Sequence, residues 1–406
     1  MSELFKTKLS IDKSTWIKVK LGDVVTEPRD TVKDFTKEQI DHVVGLEHID
    51  AESIHLRRSA NMDNSTTFTK KFKVGDVLFG RRRAYLKKAA QAKFSGICSG
   101  DITAMRVKKD LLPELLPFVI NNEKFFDYAV KHSAGGLSPR VKFKDLANYE
   151  FLLPPKDQQA KLAELLWAMD EVVESELCLL AKLKQSYFTS INQFMMHGLS
   201  CDHKNIISTK CGLLDSKVKV VQLKFCLKEK PTYGANASAK QFVKDSPRYI
   251  RITDIDDRGE LLDDDIVSID SENFKNYILE DNDFLFARTG NTVGKTLLYE
   301  RKYGFTVYAG YLIRFRLNEE ILRPKFLFYF TKSLKYEHFK RKMIKVGAQP
   351  NINSEEYQSM YLPCFSLDVQ DKLIEKLDLL NTQSALLNLK ILSSQILQKS
   401  LINQIF

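Results

Sequence analysis

The sequence predicts an α+β fold: two mixed domains joined by a pair of long antiparallel coiled-coil helices, with a pseudo-two-fold internal repeat. Three observations predict it. The first is a heptad seam. A walk from Leu162 in alternating steps of four and three lands on Leu166, Met169, Val173, Glu176, Leu180, Leu183, Tyr187, Ser190 and Phe194, so apolar side chains recur with two polar breaks. The second is a copy of that seam. The same walk from Leu373 gives Leu377, Leu380, Ser384, Leu387, Ile391, Ser394, Gln398, Leu401 and Ile405. The third is that segments upstream of both seams match in the same order.

The first helix is expected over 157–197, because Gly198 ends it and no Gly or Pro interrupts it. At 1.5 Å per residue, about 40 residues make a rod of about 60 Å, against about 11–12 residues for an average helix. A seam of that length calls for a helical partner. The second seam supplies one within the chain. Upstream, Gly136-Leu137-Ser138-Pro139-Arg140-Val141 matches Gly347-Ala348-Gln349-Pro350-Asn351-Ile352, and Gln159 matches Gln370. Further back, Asp76-Val77-Leu78-Phe79-Gly80-Arg81 pairs with Asp283-Phe284-Leu285-Phe286-Ala287-Arg288, Leu46–Asp50 with Ile252–Asp256, and Val19–Leu21 with Val221–Leu223. The order domain, helix, domain, helix implies that the second helix returns along the first. The rod then holds the two domains apart.

Within each domain the elements are mostly strands. WIKVKLGDVV alternates as an entering strand, DVLFGRR and DFLFART are short apolar runs entering loops, and ITAMRVK and YLIRFRLN alternate. LLPELLPFVINNEKFFDYAVKHS and ILRPKFLFYFTKSLKYEHFKRKM each carry helical spacing after a proline. NYEFLLPP and SMYLPCF are short strands leading into the long helices. The stretch 199–216 is polar and is expected to be an irregular linker.

Chain length and composition fit a soluble protein of two or three domains. There are 406 residues, 44% hydrophobic and 28% charged. The polar start MSELFKTKLSIDK does not read as a signal peptide, and no apolar run reaches membrane-span length, so a cytoplasmic protein without a membrane partner is expected. The net charge of +10 is compatible with a polyanionic partner. Six cysteines form no CxxC pair and read as reduced thiols. His197, Cys201, His203 and Cys211 match no zinc spacing, so no metal site is expected.

Motifs for chemistry are missing. Gly290-Asn291-Thr292-Val293-Gly294-Lys295-Thr296 has three residues between its glycines where a phosphate loop needs four. No HExxH, GxSxG, methyltransferase or clustered-carboxylate nuclease motif stands out, so the chain is expected to be non-catalytic and to bind no cofactor. The basic residues are the candidate binding site. Arg81, Arg82, Arg83, Lys87 and Lys88 surround Tyr85, and Arg140 and Lys142 follow a Gly-Gly loop. Arg288, Asn291, Thr292 and Lys295 sit at the matching place in the second copy, with Lys345, Gln349 and Asn351 after them. Arginine suits guanine, Gln and Asn suit adenine, and lysine suits phosphate.

The two-fold domain–helix repeat, DVLFGRRRAYLKK, DFLFARTGNTVGK, GAQPNIN, and the stretches FLLPPKDQQAKL and YLPCFSLDVQDKL together resemble the specificity subunit of a type I restriction-modification system. The resemblance covers nearly the whole chain. It implies target-recognition domains at 1–155 and 217–366, spacer helices at 156–198 and 367–406, and a linker at 199–216. It also implies that each domain reads half of a split target on double-stranded DNA, that the helices set the gap, and that two methyltransferase subunits dock on the chain. S-adenosylmethionine, ATP and magnesium would then belong to partner subunits, including a restriction/translocase subunit, in a prokaryotic cytoplasm. The other reading is a non-catalytic protein-binding adaptor built on the same rod.

Overall fold

The computed structural model describes residues 11–33, 38, 40–62, 67–200, 205–344 and 350–406. The chain divides into two compact units, residues 1–178 with 388–406 and residues 179–387. Each unit therefore combines a strand-rich body with part of both long helices.

In the first unit, a four-stranded antiparallel sheet runs in the order Val25–Thr26, Ile102–Val107, Val77–Gly80, Ala89–Gln91. A three-stranded sheet has Gly96–Cys98 at its centre, parallel to Val43–Val44 and antiparallel to Lys70–Phe72. The entering strand Ile17–Lys20 pairs with Glu150–Leu153, which leads directly into the helix Lys156–His197. The second unit repeats this plan. Thr232–Tyr233, Leu312–Phe315, Phe284–Ala287 and Thr296–Leu298 form its four-stranded antiparallel sheet. A second sheet pairs Arg248–Ile250 with Thr306–Tyr308 in parallel. Lys219–Gln222 pairs with Tyr361–Cys364, which leads into the helix Leu367–Ile405.

Side chains that the sequence matched in pairs do the same work in both units. Gln159 is buried, accepts from Leu112 N at 2.9 Å, and donates to the carbonyls of Asp110 at 3.0 Å and Pro154 at 2.9 Å. Gln370 accepts from Arg323 N and donates to Ile321 and Phe365, all at 2.9 Å. Every polar atom of each amide is used, as burial requires. Asp76 takes a two-pronged contact from Arg106 at 2.7 Å, and Asp283 takes one from Arg316 at 2.8 and 3.5 Å. Both carboxylates are buried, and both tie off the turn before their strand through the amide nitrogens of Lys73 and Glu280.

The long helices run antiparallel within each unit. In the first, Lys390 Nζ lies 3.2 Å from Glu176, Gln398 donates to Asp170 at 3.3 Å, and Leu401, Ile402 and Ile405 share a core with Ala163 and Leu166. In the second, Ile191 and Met195 share a core with Leu373 and Leu377. The seam positions fall on the covered side of the helices. Leu166, Val173, Leu180, Leu373, Leu377, Leu387, Ile391 and Leu401 are buried, and Leu162, Met169, Leu183 and Leu380 are half-buried. The end of each helix packs on the body from the other repeat. Asn403 Oδ1 accepts from Glu123 N at 2.9 Å in the first unit, and Asn192 Oδ1 accepts from Leu334 N at 2.8 Å in the second. Each bond satisfies a free donor in the first turn of a helix, Glu123–Lys131 or Leu334–Met343.

The stretch that carries helical spacing after each Pro forms two helices, Leu116–Ile120 and Glu123–Lys131, then Pro324–Phe330 and Leu334–Met343. The break falls where Asn122 and Ser333 turn their side chains back onto the backbone of the next helix, each as its N-cap. The expected irregular linker contains a hairpin, Ile206–Thr209 with Gly212–Asp215. Gly212 supplies the positive φ (84°) at its turn, Thr209 Oγ1 closes it onto Gly212 O at 2.7 Å, and Leu214 is fully buried. Gly198 ends the first long helix at φ 62°, as read from the sequence.

Candidate nucleic-acid interface

In the first unit the strand Val77–Gly80 runs straight into the basic turn. The backbone of that turn is stitched to the loop carrying Arg140. Arg81 N donates to Asp101 O at 3.0 Å, Val141 N to Arg81 O at 3.0 Å, and Arg83 N to Pro139 O at 2.8 Å. Asp101 clasps the side chains. It accepts from Arg140 Nε at 2.7 Å and from Arg82 Nη1 at 3.4 Å, while Arg82 Nη2 also donates to Ser138 Oγ at 3.1 Å. The Arg140 contact holds the Asp101 carboxyl below the usual carboxylate range, and Asp101 raises Arg140 in return. Asp101 carries no signal in the sequence that marks it as part of this group. Its role depends on a strand pairing that places residue 101 beside residue 81.

The other predicted residues separate into two sets. Arg83, Tyr85 and Lys142 are exposed. Arg83 and Lys87 flank the 3-10 turn Ala84–Leu86 with φ of 54° and 49°, a conformation that costs a side-chain-bearing residue about 1–3 kcal/mol. Tyr85, inside that turn, is exposed. Lys87 is engaged by Glu52 at 3.4 Å and Glu123 at 3.8 Å, and Lys88 donates to Leu46 O at 2.7 Å.

The second unit has the same stitching. Arg288 N donates to Tyr311 O and Ile352 N to Arg288 O, both at 2.9 Å, and Gly290 N donates to Pro350 O at 3.0 Å. Thr289 and Asn351 form a single β-bridge, as Arg82 and Arg140 do in the first unit. Asn291 and Asn351 are exposed, and Thr292 Oγ1 donates to Thr289 O at 3.2 Å. Lys295, the counterpart of Lys88, donates to Ile255 O at 3.0 Å and pairs with Asp257 at 2.9 Å. Lys345 and Gln349 lie outside the described residues. The glycines of 290–296 serve a turn between two antiparallel strands, Phe284–Ala287 and Thr296–Leu298. A phosphate loop passes from strand to helix instead, so the topology agrees with rejecting one here.

Among the described residues there is no cluster of three or more metal-ligating side chains, and Cys201 and His203 lie outside them. No helix of the described residues is long and apolar enough to cross a membrane. The fold and these paired turns define a class: a protein built on one module twice, each module presenting a basic turn stitched to a second loop. A family model described as "Type I restriction modification DNA specificity domain" matches residues 13–185 and again 216–394, and the chain belongs to that family.

One curated relative is the type I restriction enzyme EcoDI specificity subunit of Escherichia coli, 27% identical over 118 residues. That match takes in 28% of this chain and 26% of the relative, so the chain spans about a quarter of the curated protein it matches. Two solved structures share the fold. One is a chain from a study of complex assembly and conformational transition in the type I R-M system, with TM-score 0.61 at 18% identity over 96% of both chains. The other is the type I restriction-modification S subunit of M. genitalium, with TM-score 0.56 at 12% identity over 98% of both chains.

Proposed function

We propose that this chain is the DNA-reading subunit of a type I restriction-modification complex. The observation that carries the proposal is the specificity-family domain occurring twice, each copy holding a strand-end arginine turn against a second loop. In this reading residues 1–155 and 217–366 are target-recognition domains, and each reads half of a split double-stranded target. The helices at 156–198 and 367–406 set the gap, with 199–216 linking the copies. The exposed turn residues Arg83, Tyr85, Asn291 and Asn351 meet DNA, and the clasped Arg82 and Arg140 order the loops. The chain performs no chemistry. Two methyltransferase subunits holding S-adenosylmethionine, and a restriction/translocase subunit using ATP and magnesium, assemble on it in a prokaryotic cytoplasm. The helices leave apolar side chains for such docking: Leu165, Val172 and Leu179 recur every seven residues and stay exposed, and Leu386, Leu389 and Leu392 are exposed at three-residue spacing on the second helix. A protein-only adaptor would use that stripe too, but gives no reason for the paired basic turns.

Methylation mapping of cells carrying the chain with its methyltransferase subunit tests the proposal. A two-part methylated motif separated by a fixed gap is expected. Exchange of residues 20–150 for those of another family member should change one half only. A single continuous motif, or a change in both halves, would refute it.

A further inference from the structure

The cations in the two turns are not equivalent in how they are held. Arg82 and Arg140 share Asp101, Lys87 faces Glu52 and Glu123, and Lys88 and Lys295 donate to backbone carbonyls. Arg81 and Arg288 differ from all of these. Among the described residues neither guanidinium has a carboxylate or a hydrogen-bond acceptor, although the Nε of each is buried. Burying a donor on a charged group without an acceptor is costly. The same cost is incurred at the same position in both units.

The main chain fixes both residues. Each closes a strand of the four-stranded sheet, Val77–Gly80 or Phe284–Ala287. Each N–H and C=O is used in an equivalent bond: Arg81 with Asp101 and Val141, Arg288 with Tyr311 and Ile352. The Arg288 guanidinium also lies 4.9 Å from the centre of the Tyr233 ring, which covers one of its faces. A planar donor fork held this way, with no acceptor among the described residues, is prepared for an oxygen anion from outside.

Apart from Lys88 and Lys295, whose ammonium groups close onto backbone carbonyls, and Pro139 and Pro350, which only accept through the main chain, the two turns diverge. Arg83-Ala84-Tyr85 stands where the second unit has Gly290-Asn291-Thr292, and Arg140 stands where it has Asn351. If the two copies read different base sequences, the reading belongs to these divergent residues. A residue that is constant in identity, backbone bonding and burial serves the part of the ligand that is constant, the phosphodiester backbone. Resting on the DNA-reading function proposed above, we infer that Arg81 and Arg288 are twin phosphate anchors, one per unit, that set the register of each turn on the duplex without reading sequence.

The test uses the full chain, a fluorescein-labelled duplex of fixed sequence, and a duplex pool with a randomised centre, titrated by anisotropy across a KCl series. Arg81→Ala and Arg288→Ala should each flatten the slope of log affinity against log salt by about one. The loss should be the same factor on both DNAs, and the sequences selected from the pool should not change. Arg81→Lys, which keeps the charge, should recover most of the slope. A wild-type slope in both alanine variants overturns the inference, as does altered selection confined to one half of the motif, which would make that arginine a base reader. If alanine at 81 prevents folding, the Lys variant and Arg288→Ala decide by the same criteria. Failure of the wild-type chain to bind duplex DNA with any salt dependence is a different result, and it refutes the DNA-reading function itself.

Discussion

Asp101→Ala separates order from charge in the first basic turn. Asp101 holds Arg140 through a 2.7 Å and a 3.4 Å contact and Arg82 through a 3.4 Å contact, and among the described residues no other acid reaches either arginine. The Asp101 side chain is 21% exposed and that of Arg140 46%. Partly exposed ion pairs of this kind contribute about 1 kcal/mol at most, so the loop carrying Arg140 should become roughly fivefold less ordered on the turn, with little change in global stability. The backbone bond from Arg81 N to Asp101 O survives the substitution. Two arginines are released from their counter-charge. If both reach phosphates, the salt slope should steepen by about 0.9 for each. Binding to random duplex at low salt should therefore tighten, while discrimination against a mismatched target, about 1–3 kcal/mol per base pair in specific complexes, should shrink. Anisotropy titrations on matched and random duplexes across a KCl series measure both. An unchanged slope together with unchanged discrimination would show that Asp101 does not control this turn, and the account of an ordered arginine clasp would fall.

Four further outcomes are expected. Acid should open the same clasp: the carboxyl of Asp101 is depressed in the fold, so its contribution is present above the ordinary carboxylate pKa and is lost as pH falls through the depressed value, visible as rising hydrogen exchange at 134–140. Arg83→Gly should raise stability by about 1 kcal/mol in urea melts, because glycine accepts φ 54° without strain, even as it removes a cation. Arg106→Met should cost about 3 kcal/mol, leaving the buried Asp76 carboxylate without its guanidinium and held only by the Lys73 N–H among its described contacts, and exchange protection should fall in the first unit while the Asp283 site keeps its own. Burial pushes the Lys332 ammonium, which lies over the Phe328 ring, down to about 8; the unfolded chain then holds more protons above that pH, stability should rise from about pH 8 toward the ordinary lysine value of 10.5, and Lys332→Met should flatten the rise in thermal melts.

The sequence by itself determined the periodic and the repeated features. The two long helices show in the heptad walks because a seam of that length has a single geometric solution, and their ends at Gly198 and near Leu367 follow from local stop and start chemistry. The matched pairs Gln159/Gln370 and Asp76/Asp283 were legible because each copy must satisfy the same buried groups in the same way, and Arg81/Arg288 because each follows the same apolar strand. Only the tertiary structure decided which cations are free. Lys88 and Lys295 look like ligand contacts in the chain, yet each closes onto a carbonyl about forty residues away along the sequence. Asp101 carries no motif and becomes central through strand pairing. The choice of Asn403 and Asn192 as partners for Glu123 and Leu334 is likewise a long-range matter, since each side chain reaches across the antiparallel return of a helix onto the other repeat's body. Local periodicity records what a residue's neighbours in sequence demand. Whether a guanidinium is neutralised or left open depends on which acid the fold brings beside it, and that is set by contacts no window of sequence contains.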